Sequence, residues 1–123
     1  MSFGTRSFCM PSPDAVRLRH MREAATMALE MADGHDQTEL ATNTVLALAL
    51  TRCLEILGEA ASKISPDVCA KFPTIPFPKI VSMRNRLIHA YFDVNLDMVW
   101  TTVCDDLPDL LRALEEALAA EDN

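Results

Sequence analysis

Three features of the 123-residue chain predict an all-α fold. Apolar residues recur at three- and four-residue steps over most of its length, the period of helices that each bury one face. No alternating run of apolar and polar residues, the mark of a half-buried strand, reaches useful length. Only 3 Gly and 6% aromatic residues stand against abundant Ala, Leu and Met, a composition that favours helix over sheet. The predicted architecture is an antiparallel bundle of four main helices plus a short connecting helix, without repeats or low-complexity tracts. Because 50% of the residues are hydrophobic and 24% charged, intrinsic disorder is excluded. A single domain over residues 12–120 is expected, between a flexible tail at 1–11 and a short one at 121–123.

The first helix is announced by Ser12-Pro13-Asp14, which reads as N-cap, proline at the first helical position and an acid in the first turn. Val16, His20, Ala24, Met27 and Met31 follow at helical spacing as the expected inward stripe, and Gly34 supplies the stop. A second helix starts between Thr38 and Thr44 and runs to Ile64. It is apolar on nearly every side, with Leu46, Leu50, Cys53, Leu57 and Ala60 on one face and Leu48, Ile56 and Ile64 on another. Such a helix is buried on two sides, by its own chain or by a partner, and Leu46, Leu50 and Leu57 are candidates for a partner contact.

Ser65-Pro66-Asp67 repeats the cap signature for a short helix ending near Phe72. Pro73, Pro76 and Pro78 then forbid regular helix until a new one begins at Pro78, carrying Ile80, Val81, Met83, Leu87 and Ile88 inward to about Ala90. Residues 93–95 form a turn. From Leu96 a last helix shows Val99, Trp100, Val103, Leu107, Leu110, Leu111, Leu114 and Leu118 at helical steps, with a kink expected at Pro108.

Several function classes drop out early. The longest apolar run, residues 45–50, is far short of the roughly 18 to 20 residues that span a bilayer, and no secretory signal opens the chain, so a cytoplasmic protein is expected. Cys9, Cys53, Cys69 and Cys104 lack a C-x-x-C pair and read as free thiols. Neither a Gly-rich phosphate loop nor H-E-x-x-H is present, so neither a P-loop nor a zinc site is expected, and no cofactor. Met21, Met27 and Met31 read as core or dimer surface, His20 as a core histidine on the apolar stripe, and His35 as a loop residue.

The formal net charge of -7 excludes a protein whose whole surface grips nucleic acid. Locally the picture differs: residues 1–67 carry 6 basic and 9 acidic side chains, 68–92 carry 4 and none, and 93–123 carry 1 and 9. The middle window, with Lys71, Lys79, Arg84, Arg86 and His89, is where an anionic ligand would bind. The alternative is that these cations offset acids of the C-terminal helix across a packing interface.

Within that window stands Arg84-Asn85-Arg86-Leu87-Ile88-His89-Ala90-Tyr91. On a helix Asn85 and His89 share a face, and Arg84, about 140° away from His89, reaches the same anion through its long side chain. An imidazole can move the proton of a ribose 2′-hydroxyl, and a guanidinium offers two parallel donors to a phosphate whose charge grows in the transition state. Residue types alone also allow His89 to cap helix carbonyls and Arg84 to be a surface cation. Asn85 is either a phosphate ligand or a helix-packing polar group, Arg86 and Lys79 are outward electrostatic contributors to substrate binding, and Glu59 pairs with a nearby cation or with Arg52.

The stretch resembles the R-x4-H-x-Y signature of the HepT-like ribonuclease toxins of the HEPN superfamily. The likeness continues in Leu57-Gly58-Glu59-Ala60-Ala61, in Phe72-Pro73-Thr74-Ile75-Pro76, in residues 93–100 and in Asp106-Leu107-Pro108, covering most of residues 12–118. Phe77 stands where the family usually has Trp, and Ser82 where it has Gly or Ala. The resemblance implies a helical homodimer whose two motifs face each other across a cleft and cut RNA without a metal. It also implies that Arg84 and His89 are catalytic, and that a nucleotidyltransferase antitoxin transfers AMP to Tyr91. The same features also fit a non-catalytic helical module that binds a nucleotidyltransferase partner or a nucleotide.

Overall fold

The computed structural model describes residues 12–89 and 95–122, and among these it is all-α, with no strand. Helix α1 spans Pro13–Ala32, α2 Thr44–Ser62, α3 Pro66–Lys71, α4 Phe77–His89, α5 Leu96–Thr101 and α6 Leu107–Asp122. Side-chain caps start four of these helices, at Ser12 and Ser65 as the sequence predicts and at Asn43 and Asn95 in addition. Ser12 accepts the Ala15 N–H at 3.0 Å, Asn43 that of Leu46 at 3.0 Å, Ser65 that of Val68 at 3.3 Å and Asn95 that of Met98 at 3.0 Å. Gly34, at φ +82°, takes the left-handed backbone after α1 that other residues avoid.

The Asp14 carboxylate accepts from both the Ser65 N–H at 2.9 Å and the Ser65 hydroxyl at 2.7 Å. This ties the start of α1 to the end of α2, so the two helices run antiparallel. Lys71, at the end of α3, bonds Glu121 at 2.9 Å and fixes the last turn of α6 at the same end of the bundle. Helix α2 lies between α1 and α4, and α6 closes over α1. The core between them holds Leu18 and Met21 of α1, Leu50, Leu54 and Leu57 of α2, Val99 of α5, and Leu107 and Leu114 of α6.

The inward face of α1 differs from the expected stripe. Ala24 is buried as expected, but its companions are Ala15, Leu18, Met21, Ala25, Ala28 and Ala32, whereas His20 and Met27 are exposed. That buried face is mostly alanine, which leaves room for a neighbouring helix, and His20 lies off it. On α2, Leu46, Leu50 and Leu57 are not partner contacts but lie in the chain's own core, while Val45 and Leu48 are 78% and 66% exposed.

A 3-10 turn at Gln37–Ala41 precedes α2 and is closed by a reciprocal pair of bonds between Asp36 and Glu39. The Thr38 hydroxyl holds the Asp36 carboxyl below its usual range, and His35, indeed in this loop, does the same for Glu39. The last helix does not simply kink at Pro108. A π-helical turn at Thr102–Asp106 separates α5 from α6, with the Leu107 N–H bonded to the Thr102 carbonyl. The wider turn absorbs the register around a proline that has no N–H to give.

Leu54 is fully buried on the helix that the others pack against. Replacing it with Ala should lower unfolding free energy by about 2–5 kcal/mol, read as a drop in the urea midpoint with an unchanged slope.

Candidate active site

Three prolines and the turn at residues 73–76 deliver α4 onto α2, where Phe77, Ile80, Met83 and Leu87 form its buried face at helical steps. Arg84 borders that face and passes directly over Gly58 of α2. A Cβ at position 58 would overlap the Arg84 Cβ, lie 2.7 Å from its Cγ and 3.2 Å from the Ile80 carbonyl oxygen. Only glycine leaves this space, so the close approach of α2 and α4 is centred on the arginine.

The neighbouring residue then fixes the guanidinium. Glu59 Oε1 accepts from Arg84 Nη2 at 2.5 Å, and Asn85 Oδ1 from Arg84 Nη1 at 3.0 Å. Glu59 also meets Lys63 Nζ at 3.3 Å, while Arg52 turns instead to Glu55 at 3.2 Å. Glu59 is 45% and Arg84 26% exposed in their side chains, so the pair contributes on the order of 1 kcal/mol or less to stability. Its effect is geometric: one edge of the arginine is immobilised.

Arg84 forms the α4 wall of a groove of about 300 Å³ that opens over α2, with Arg17 and His20 on the α1 side and Arg52, Glu59 and Lys63 on its floor. His89 is the last residue of α4 and is exposed, five residues on from Arg84, a rise of about 7.5 Å along the helix. Tyr91 lies outside the described residues.

The acid-free window is divided by the fold. Lys71 is paired with Glu121. Lys79 and Arg86 line a separate cavity of about 550 Å³ between α4 and the α5–α6 segment, opposite Asp97, Asp105, Asp106 and Asp109. Arg84 and Arg86 are two residues apart and therefore about 200° apart around the helix. The structure thus brings Asn85 to Arg84 and keeps Lys79 and Arg86 away from it. In exchange the groove gains Arg17, His20, Arg52 and Lys63, which the sequence reading did not select. A signal was present: Arg17 and His20 are three apart, and Arg52, Ile56, Glu59 and Lys63 follow at steps of three and four.

Cys53, Cys69 and Cys104 are free thiols, and burial pushes all three above the usual thiol range. They line neither cavity.

The helical bundle sets Arg84 on the wall of a groove rich in cations, and His89 does not line that groove. The chain belongs to the Ribonuclease HepT-like family, whose sequence model matches residues 21–117. It is 39% identical over 83 residues to "Putative RNase MJ0125" of Methanocaldococcus jannaschii, covering 68% of this chain and 72% of that protein. It is 32% identical over 104 residues to "Putative RNase TTE0752" of Caldanaerobacter subterraneus, covering 85% and 93%. A match to "Probable ribonuclease HepT" of Thermococcus cleftensis is 43% identical over 68 residues, covering 55% and 62%. No solved structure matches the chain with significance.

Gly58→Ala should displace α4 from α2 and lower stability by about 1–3 kcal/mol. The denaturation midpoint and a crystal structure of the variant check this; an unmoved Arg84 would contradict it.

Proposed function

We propose that the chain is a metal-independent endoribonuclease, the toxin of a two-gene toxin–antitoxin pair, acting as a two-fold homodimer in the cytoplasm. The observation that carries this reading is the placement of Arg84: it is clamped by Glu59 and Asn85 at the wall of a cationic groove, with His89 five residues on, in a chain of this family. The RNase names of the relatives support the activity. That no helix among the described residues is long and apolar enough to cross a membrane agrees with the location.

In the proposed reaction the ribose 2′-hydroxyl oxygen bonds to the adjacent phosphorus while the bond from phosphorus to the 5′-oxygen breaks. One imidazole takes the 2′-hydroxyl proton and a second gives a proton to the departing 5′-oxygen. The products are a 2′,3′-cyclic phosphate and a 5′-hydroxyl. Arg84 donates to the non-bridging oxygens as their charge grows. The motif supplies one histidine per chain, and His89 of a second copy supplies the other.

Val45, Leu48 and Ile56 support such a dimer. They lie exposed along the outer face of α2, and Ile56 also lines the groove, so a copy seated on this stripe brings two grooves together. Tyr91 is the proposed AMP acceptor for a nucleotidyltransferase antitoxin. The added nucleotide would set bulk and a phosphate charge two residues from His89 and repel substrate.

His89→Ala should slow cleavage by about 10²- to 10⁴-fold, with wild-type cleavage unaffected by EDTA and leaving 2′,3′-cyclic phosphate ends. RNA binding without turnover by the wild type would instead point to a non-catalytic module. Leu48→Asp should convert dimer to monomer in sedimentation velocity; a variant that stays dimeric would place the interface elsewhere.

A further inference from the structure

The groove in front of Arg84 reaches across α2 to α1, which the proposed reaction does not use. Its cations are not equivalent. Arg84 and Lys63 share Glu59, and Arg52 is held by Glu55. Arg17 lines the same groove and is half-buried, yet no carboxylate among the described residues stands within ion-pair distance of it. His20, one turn further along the same face of α1, is exposed beside it. A partly desolvated guanidinium without a carboxylate is stabilised by an external anion, and its planar fork suits phosphate oxygens.

We infer that Arg17, with His20, forms a second phosphate subsite, which binds a phosphate of single-stranded RNA flanking the one held at Arg84. This rests on the nuclease reading for the identity of the strand. A chain laid across α2 from Arg84 leads away from α4 and meets α1, where Arg17 takes the phosphate and His20 adds a ring N–H donor. Glu55 and Glu59, the carboxylates of the groove, are neutralised by their own cations and leave the path open to an anion. The subsite carries no base recognition: its contacts are to the backbone, so it extends affinity along the strand without sequence preference.

The test is binding of a fluorescein-labelled oligoribonucleotide of about eight nucleotides, followed by anisotropy over a salt series, in a His89→Ala background that slows cleavage. Arg17→Gln should weaken binding about tenfold and reduce the slope of log Kd against log salt by about 0.7, the value of one lost phosphate contact on a single strand. His20→Gln should weaken binding in the same direction. The charge-matched control is Arg19→Gln, on α1 but outside the groove, which should change Kd by less than about twofold. Equal weakening by Arg17→Gln and Arg19→Gln, an unchanged salt slope in Arg17→Gln, or loss of the wild-type sedimentation mass in Arg17→Gln overturns the subsite. The two readings fail separately. Wild-type protein that cuts no RNA while the Arg17 pattern holds would remove the nuclease and leave the subsite, whereas an active enzyme lacking that pattern would remove the subsite alone.

Discussion

Gly58 has no side chain, and the stem of Arg84 occupies the space that a Cβ would need. Most of what distinguishes this molecule from a generic helical bundle follows from that contact. It sets the separation of α2 and α4, and it places Glu59, the next residue, within 2.5 Å of the guanidinium. It also turns α4 so that Phe77, Ile80, Met83 and Leu87 are buried while Arg84 emerges on the groove side. A larger residue would push α4 outward at its middle, and the arginine would lose its carboxylate before the core lost much area. The constraint therefore acts on the geometry of the site as well as on the stability of the fold.

Holding an arginine by one edge has a chemical consequence. The guanidinium keeps its charge and presents its remaining N–H groups in a fixed plane, so an arriving phosphate finds donors already oriented rather than a long side chain to be ordered. The half-exposed ion pair contributes little to folding, as such pairs generally do. Under the proposed function its value lies in lowering the cost of binding, which matters for a chain whose overall charge of -7 offers an RNA little long-range attraction.

Secondary structure was largely legible because it rests on local chemistry: two serine caps, the two prolines that follow them and one glycine stop stand where a reading of neighbours places them. The inward face of α1 was not, because Val16, His20 and Met27 and the rival set of Leu18, Met21 and Ala25 both recur at helical steps. Which set is buried depends on how close α2 can come, a property of two helices. The π turn before Pro108 was foreseen only as an irregularity, since the proline forbids regular bonding without saying how the chain relieves it. In the site, Gly58, Glu59 and Arg84 were each visible, and their convergence was not.

Charge was the least legible property, for a geometric reason. A window along the chain sums residues that a helix then distributes around its circumference. The acid-free stretch 68–92 is divided by the fold into Lys71 against Glu121, Lys79 and Arg86 against a wall of aspartates, and Arg84 alone on the groove. The groove recovers its positive character from Arg17, Arg52 and Lys63, which belong to the stretch 1–67 that is acidic when counted in sequence. Cations from three helices thus gather at one surface of an acidic protein, and the carboxylates among them are each paired within the groove. An acidic exterior around a local cationic groove disfavours diffuse coating of nucleic acid, and it confines attraction to within about 8–10 Å of the groove, the screening length at physiological salt.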